Sequence, residues 1–160
     1  MEKIHSYHLF LEWTGNRGPG TSGYRDYGRD HTISIKGKAP ILGSSDPAFR
    51  GNPALHNPED LLLAAIASCH MLWYLSLCSE KGVIVLKYSD HPVGRMLEKK
   101  DGSGHFTEVT LHPQIEVAHE AMIADAERLH QDANQYCFVA ASVNFPIHHQ
   151  PVIKLYPGIL

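Results

Sequence analysis

The chain has 160 residues, of which 43% are hydrophobic and 19% are charged, and its formal net charge is −3. This length and composition are typical of one globular domain that is large enough to bury a sizeable core. The weak negative charge gives no electrostatic reason to expect binding to nucleic acid or to an anionic membrane.

The three cysteines, Cys69, Cys78 and Cys137, are an odd number for a chain of this size. A secreted disulfide framework normally uses an even number, so the count favours a reducing compartment. Residues 1–13 lack a basic segment that leads into an apolar run, and we expect no signal peptide. The protein is therefore expected to be cytoplasmic.

The first third of the chain predicts two strands and two loops rich in glycine. Alternating apolar residues indicate strands at residues 4–13 and 31–37. The loop between these strands carries five glycines and three arginines, namely Arg17, Arg25 and Arg29. Exposed arginines usually contribute little to stability, so the plain interpretation of each one is a solvated surface charge.

Residues 57–82 predict a long helix. Asn57 can cap its start, Pro58 suits its first turn and Gly82 suits its end. No charged side chain lies between residues 61 and 78, and apolar residues cover every face, so the helix must be buried on all sides in a core or in lipid. The run could span a bilayer, but amphipathic elements follow it and no second such run exists in the sequence. We interpret it as the core helix and expect no membrane partner.

The rest of the chain indicates a mixed domain. The pattern predicts a long or bent strand at residues 83–99 with a bend at His91-Pro92, a turn at 101–104, a returning strand at 105–117, an amphipathic helix at 118–134 and a final strand at 143–155. This order of elements predicts an α+β fold with antiparallel sheets around a long buried central helix. We expect residues 1–160 to form a single domain.

Cys69 lies in the middle of the predicted central helix. Most free cysteines are buried and behave as small hydrophobic residues. The thiolate is the reactive form, so a reactive cysteine here would need a nearby cation. The helix dipole acts only within the terminal turns, but an arginine from the glycine-rich loop could supply the charge.

Residues 57–70, NPEDLLLAAIASCH, resemble the helix signature of the OsmC/Ohr family (osmotically inducible protein C and organic hydroperoxide resistance protein). That signature is N-P-E, a short run of aliphatic residues and alanine, and then the peroxidatic cysteine. Glu59 stands ten positions before Cys69, and Cys137 follows the amphipathic helix where the family has a second cysteine. The pattern W-x-G-x-x-G-x-G-T at residues 13–21 also resembles the N-terminal region of the family.

The resemblance implies an OsmC/Ohr-like fold and a thiol peroxidase that reduces organic hydroperoxides to alcohols in oxidative stress defence, without any cofactor. Cys69 would attack the peroxide and become a sulfenic acid, and Cys137 would resolve that acid as a disulfide. An external dithiol, of the lipoyl type in the best-known members, would restore the two thiols.

The resemblance also implies that Glu59 and an arginine polarise the peroxide and hold Cys69 as a thiolate. Arg17 fits the family position in the glycine-rich loop best, and Arg25 and Arg29 are the alternatives.

The chain departs from the family pattern at two points. Phe138 follows Cys137, where family members commonly have proline. No family role falls on Cys78, which we interpret as a core residue.

The spacing of Glu59 and Cys69 predicts a dimer without reference to the family. Ten residues on one straight helix are separated by about 15 Å along its axis, so these two side chains cannot share a site within one subunit. A two-fold dimer would bring Glu59 of a second copy beside Cys69 and would also cover the remaining apolar face of the helix. We therefore expect an intertwined homodimer.

Two other interpretations compete with the peroxidase. The first is an OsmC-like protein that is not an enzyme and binds a small apolar ligand at the dimer interface, a role that needs neither thiol. The second is a metal protein, but His119 has no second histidine at the metalloprotease spacing, and His148 and His149 on a strand would point to opposite faces. The side chain of His70 projects about 100° away from that of Cys69 on the helix, as expected for a structural residue. We expect no metal.

Overall fold

The computed structural model describes residues 2–158. Within this range the chain forms nine strands and two α-helices: β1 (Phe10–Trp13), β2 (His31–Ser34), β3 (Ile41–Gly43), α1 (Pro58–Glu80), β4 (Val85–Ser89), β5 (Val93–Glu98), β6 (Gly104–Leu111), β7 (Gln114–Val117), α2 (Ile123–Tyr136), β8 (Ile147–His149) and β9 (Val152–Leu155). Short 3₁₀ turns lie at Pro47–Phe49, Glu120–Met122 and Ala140–Ser142. The predicted α+β class is confirmed.

The chain divides into two compact units, one ending at Leu62 and one beginning at Leu63, so that the boundary falls inside α1. The first unit contains an antiparallel sheet in the order β1-β2-β3. The second contains two three-stranded sheets, in the orders β4-β7-β9 and β5-β6-β8. The expectation that residues 1–160 form one domain stays a prediction.

Helix α1 begins and ends as the sequence predicts. The Asn57 side chain accepts a hydrogen bond from the backbone N–H of Asp60 at 2.7 Å, which satisfies one of the free N–H groups of the first turn. At the other end Gly82 has φ +72°, and the N–H of Val83 donates to the carbonyl of Cys78 at 2.9 Å. This is the pattern of a glycine-terminated helix.

Burial of α1 is one-sided. Its buried residues in the second unit are Ile66, His70, Tyr74, Leu77 and Cys78. A stripe at intervals of four residues is exposed, and it consists of Ala64, Ser68, Leu72 and Ser76. The prediction of burial on every face is therefore not met by a single chain, because α2 and strand β7 cover the helix from one side only.

The length and composition of α1 are also those of a membrane-spanning helix. A core helix of a soluble protein passes the same test, so this likeness is weak support for a membrane location. Only 28% of the apolar stretch is buried in the single chain. The remainder is apolar surface that the single chain leaves exposed on α1.

The three long strands predicted after residue 82 are each split in two near a proline. The breaks lie at Pro92, Pro113 and Pro151. Proline lacks the backbone N–H that would donate to a neighbouring strand. One half of each strand joins one sheet of the second unit and the other half joins the other sheet. The sheets are consequently mixed rather than purely antiparallel, because β8 runs parallel to β6 and β9 runs parallel to β7.

The core of the second unit lies between α1, α2 and β7. Its fully buried members include Tyr74 of α1, Ile115 of β7 and Ala126 and Leu129 of α2. The Tyr74 hydroxyl donates to the backbone carbonyl of Ala126 at 3.1 Å, so its one polar atom is satisfied inside the core. This packing fixes α2 against the central helix.

We predict that Leu129→Ala lowers the free energy of unfolding by about 2–5 kcal/mol, because it leaves a cavity at a fully buried site. Urea denaturation monitored by circular dichroism measures this loss. Glu127→Ala, on the exposed side of the same helix, is the matched control and should change stability by less than about 0.5 kcal/mol. Equal losses for the two variants would contradict the position assigned to the core.

Candidate active site

The structure brings Cys69 and Cys137 together. Cys69 is half-buried in the middle of α1, and Cys137 is buried immediately after the last residue of α2. Both thiols are free, and Cys69 lies near enough to Cys137 to influence its titration. Burial raises the pKa of the Cys137 thiol, and the neighbouring Cys69 raises that pKa further. Cys137 is therefore favoured as the protonated thiol.

The backbone after α2 holds Cys137 in a tight turn. The N–H of Ala140 donates to the Cys137 sulfur at 3.4 Å, and the N–H of Ala141 donates to the Cys137 carbonyl at 3.0 Å. Trp73, one helical turn beyond Cys69, stacks on Tyr136 with ring centroids 5.3 Å apart. These contacts fix the chain on both sides of Cys137.

Phe138 occupies the position where a proline was expected after the second cysteine. Its ring meets Trp73 edge to face with centroids 5.6 Å apart, and 72% of the residue is exposed. A proline could not form this aromatic contact, so the departure from the family pattern adds an apolar side chain beside the thiol pair.

Cys78 does not belong to the thiol pair. It is buried in the core of the second unit beside Tyr74. Burial raises the pKa of the Cys78 thiol, and a hydrogen bond with Tyr74 opposes that rise only in part. A protonated, inaccessible thiol is unreactive, which agrees with the core role predicted for Cys78.

Glu59 lies in the first turn of α1 and is half-buried. Its Oε2 atom is fully buried and has no hydrogen-bond partner within residues 2–158. A buried carboxylate oxygen without a donor is costly, so this atom is placed to receive one. The uninterrupted helix also keeps Glu59 and Cys69 ten residues apart, which is about 15 Å along the axis.

The glycine-rich loop is ordered by its own hydrogen bonds. A side chain at Gly15 would clash with the Gly28 carbonyl oxygen, and the N–H of Gly28 donates to the carbonyl of Gly15 at 2.8 Å. The Asn16 side chain accepts from the N–H groups of Gly18 and Gly20 at 2.9 and 3.1 Å. Two segments of the loop therefore come into backbone contact at Gly15 and Gly28, and only glycine permits this approach.

The three arginines of that loop differ in what they contact. The Arg29 guanidinium donates to the carbonyls of Tyr27 and Tyr24 at 2.6 and 2.8 Å and lies over both rings. Arg17 and Arg25 are exposed, and neither forms an ion pair with another described residue, Glu59 included. Arg29 is thus committed to the loop, whereas the guanidinium groups of Arg17 and Arg25 remain available.

Sequence reasoning missed a cluster of buried histidines. His70 Nε2 and His130 Nδ1 form a hydrogen bond of 2.9 Å between α1 and α2, and the two rings lie nearly parallel. His149 of β8 packs on His70 with centroids 4.4 Å apart, while Tyr74 stacks on His130 at 4.0 Å. No short-range spacing signals this cluster, because its members are far apart in the sequence.

The cluster is neutral at ordinary pH. Burial lowers the pKa of His70 and of His130 to about 3, and the neighbouring His149 lowers both further. The pKa of His149 is lowered as well, again chiefly by burial. Among residues 2–158, no group of His, Cys, Asp and Glu side chains is arranged to hold a metal ion.

Comparison with known proteins places the chain among OsmC-like proteins. The model of that family, described as OsmC-like protein, matches residues 51–151. The fold resembles an OsmC-like protein of unknown function from Vibrio cholerae, with 27% sequence identity, a TM-score of 0.82 and coverage of 93% of this chain and 100% of the other. None of the curated proteins matches the sequence.

Two further crystal structures with this fold are of organic hydroperoxide resistance proteins. The protein from Elizabethkingia anophelis is 17% identical, with a TM-score of 0.67 and coverage of 98% of this chain and 100% of the other. The protein from Legionella pneumophila is 15% identical, with a TM-score of 0.67 and coverage of 95% and 100%. At these identities the likeness concerns the fold.

We predict that stability falls as the pH is lowered through about 6.5, the value at which histidine titrates in the unfolded chain. Because the folded pKa of His70 and His130 is lowered, the unfolded state binds more protons between about pH 3 and 6.5. Each of these two histidines should therefore lower the free energy of unfolding at pH 5 by about 2 kcal/mol relative to neutral pH. Denaturation in urea at several pH values measures this slope, which is the change in the free energy of unfolding with pH.

The matched variants for this experiment are His130→Gln and His148→Gln. His130→Gln removes one buried titrating ring and should flatten the slope, whereas the partly exposed His148 should leave it unchanged. A wild-type stability that does not vary between about pH 7 and 5 would show that the buried histidines are not neutral in the folded protein.

Proposed function

Because the chain belongs to the OsmC-like protein family, we propose that it is a thiol-dependent peroxidase that reduces organic hydroperoxides to alcohols. The nearness of the Cys69 and Cys137 thiols is the observation that carries this proposal. A nucleophilic cysteine that becomes a sulfenic acid requires a second thiol within reach to form a disulfide. The hydroperoxide resistance proteins with this fold support the same substrate class.

In the first step the Cys69 sulfur attacks the peroxide oxygen distal to the organic group. The O–O bond breaks, Cys69 becomes a sulfenic acid, and the alkoxide takes a proton and leaves as the alcohol. Cys69 is the more accessible of the two thiols, since Cys137 is buried. This difference in access assigns the nucleophile to Cys69.

In the second step the Cys137 sulfur attacks the sulfur of the Cys69 sulfenic acid. An S–S bond forms, the S–O bond breaks and water leaves, so the substrate oxygen has been reduced by the two electrons of the thiol pair. A disulfide needs its two Cα atoms within about 7 Å, and two neighbouring thiols are placed to meet this demand. An external dithiol, of the lipoyl type, then reduces the disulfide by two exchange steps.

Glu59 and Arg17 are the proposed activating charges. The buried, unpartnered Oε2 atom of Glu59 calls for a donor, and Arg17 offers a guanidinium that no other described carboxylate holds. Arg25 is equally available, whereas Arg29 is occupied by the carbonyls of Tyr24 and Tyr27. An arginine–glutamate pair near the thiol would polarise the peroxide and favour the thiolate.

The active form is proposed to be a homodimer in the cytoplasm. The exposed stripe of α1 combines small residues with Leu72, which is 63% exposed, and such a stripe lets two helices approach closely. A second copy packed on it would cover this apolar face and bring its own Glu59 toward Cys69. Three free thiols suit a reducing compartment.

A second candidate function is the binding of a small apolar ligand without catalysis. The exposed aromatic side chains of Tyr136 and Phe138, with Trp73 between them, offer an apolar surface beside the thiols. A binding protein would need this surface but neither thiol. The state of the cysteines after exposure to a hydroperoxide therefore distinguishes the two functions.

We predict that one equivalent of an alkyl hydroperoxide converts Cys69 and Cys137 into a disulfide, which mass spectrometry of alkylated peptides detects. Cys69→Ser should abolish hydroperoxide consumption. Cys137→Ser should allow a single turnover that ends at the Cys69 sulfenic acid. Cys78→Ser is the matched control and should retain turnover, because Cys78 is buried outside the pair. Unchanged thiols in the wild-type protein would favour ligand binding instead.

We predict that the protein sediments as a dimer and that Leu72→Glu converts it to a monomer, because a buried charge in an apolar interface is strongly disfavoured. The monomer should also lose hydroperoxide turnover if the site needs the partner's Glu59. Ala124→Glu, on the exposed side of α2, introduces the same charge and should remain dimeric. A stable, active wild-type monomer would contradict the dimer.

A further inference from the structure

One buried hydrogen bond links the two helices that carry the thiols. His70 follows Cys69 directly in α1, and its Nε2 atom lies 2.9 Å from Nδ1 of His130 in α2. His130 stands seven residues before Cys137, which is two helical turns and so nearly the same face of α2. The histidine bond and the thiol contact are therefore two points of one helix–helix interface.

The other contacts at this interface are mostly apolar. Leu77 of α1 and Ala126, Leu129 and Ala133 of α2 belong to one hydrophobic cluster. Apolar contacts attract without direction, so by themselves they permit one helix to shift along the other. Two contacts are directional, because a hydrogen bond weakens steeply once its atoms are misaligned. The Tyr74 hydroxyl donates to the Ala126 carbonyl, and the histidine pair lies nearer in sequence to both thiols.

We propose that His70 and His130 are positioning residues, whose hydrogen bond holds α1 in register with α2 so that the Cys69 and Cys137 thiols remain close enough to form a disulfide. The inference deepens the proposed function, because it concerns the same thiol pair. It depends on the geometry of that pair and not on the identity of the oxidant.

The bond requires that one of the two rings keeps an unprotonated nitrogen. One imidazole must donate while the other accepts, so only one of the two facing nitrogens carries a hydrogen. When both rings are protonated, neither facing nitrogen can accept and the hydrogen bond is lost. The buried Nδ1 of His70 and Nε2 of His130 have no further partner among the described residues. Burial lowers the pKa of both rings to about 3, so protonation strains the folded state.

The surroundings offer no counter-ion to an added proton. Strand β8 presents His149, whose neighbour His148 lies 3.9 Å from Glu108 instead. Helix α1 presents Tyr74, and behind it β4 presents Tyr88, whose pKa is raised by burial and by Asp90. No carboxylate within residues 2–158 forms an ion pair with His70, His130 or His149.

The test measures how strongly the protein favours its own disulfide over glutathione disulfide. Protein is equilibrated in glutathione redox buffers from both the reduced and the oxidised side, quenched with acid, and the Cys69–Cys137 disulfide is quantified by mass spectrometry. The resulting equilibrium constant reports the effective concentration of one thiol at the other. No peroxide is present in the assay.

Two substitutions of His70 separate positioning from packing. Leucine cannot hydrogen-bond, and His70→Leu should lower the equilibrium constant by about tenfold or more near neutral pH. The glutamine carboxamide can reach the Nε2 position and bond His130, so His70→Gln should remain within about threefold of wild type. His148→Gln is the matched control outside the cluster and should behave as wild type.

The assay is run near neutral pH, where the folded rings of His70 and His130, with a pKa of about 3, are neutral. If His70→Leu does not fold, His130→Leu, which removes the other partner of the bond, takes its place with the same expected loss. Equal constants for the wild type and all folded variants would overturn the proposal.

The outcome is separable from that of the peroxidase proposal. A protein that ignores hydroperoxides but shows these equilibrium constants would contradict the peroxidase and support the positioning role. A peroxidase whose constants do not respond to replacement of His70 would do the reverse.

Discussion

The packing of α1 against α2 is the constraint on which the candidate site depends. Tyr74 of α1 is completely buried, and its ring stacks on His130 while its hydroxyl bonds the backbone of α2. Along the same interface Cys69 meets Cys137, and Trp73 stacks on Tyr136. The thiol geometry is therefore a consequence of how two helices pack, and any change that shifts one helix changes the distance between the sulfur atoms.

That dependence explains why an apolar interface contains buried histidines. Replacing buried polar pairs with apolar residues is often neutral or stabilising, so their contribution lies elsewhere than in stability. A helix that slips by one turn moves about 5.4 Å, whereas a disulfide tolerates only small departures from its bond length and angles. A directional bond such as that between His70 and His130 excludes the slipped packing. The histidine pair thus fixes the register of α1 against α2 and does not add to the stability of the fold.

Local chemistry made part of the molecule predictable. The capping side chain of Asn57 and the positive φ of Gly82 fix both ends of α1, and each is visible in the sequence. The pairing of Cys69 with Cys137 as redox partners was expected from the family resemblance and stays a prediction. The splitting of the long strands did not follow, although Pro113 and Pro151 mark the breaks, because the sheet that each half joins depends on distant partners. Parallel pairing of β6 with β8 is likewise set by tertiary contacts.

The histidine cluster lay beyond sequence reasoning for the same reason. His70 and His130 are separated by 60 residues, and only the packing of α1 on α2 brings them together. The arginines show the complementary case. The sequence placed Arg17, Arg25 and Arg29 in one glycine-rich loop, but only the structure shows that Arg29 is already held by two carbonyl groups.

The partial burial of α1 and the carboxylate of Glu59 both bear on the proposed dimer. The sequence shows a helix that is apolar on every face, but sequence cannot distinguish burial within a chain from burial between chains. The structure leaves Leu72 exposed on one face, and Glu59 Oε2 is buried without a donor among residues 2–158. In the proposed dimer, a second copy packed on the exposed stripe would cover Leu72 and approach Glu59. One two-fold contact would then meet both demands and form two sites together.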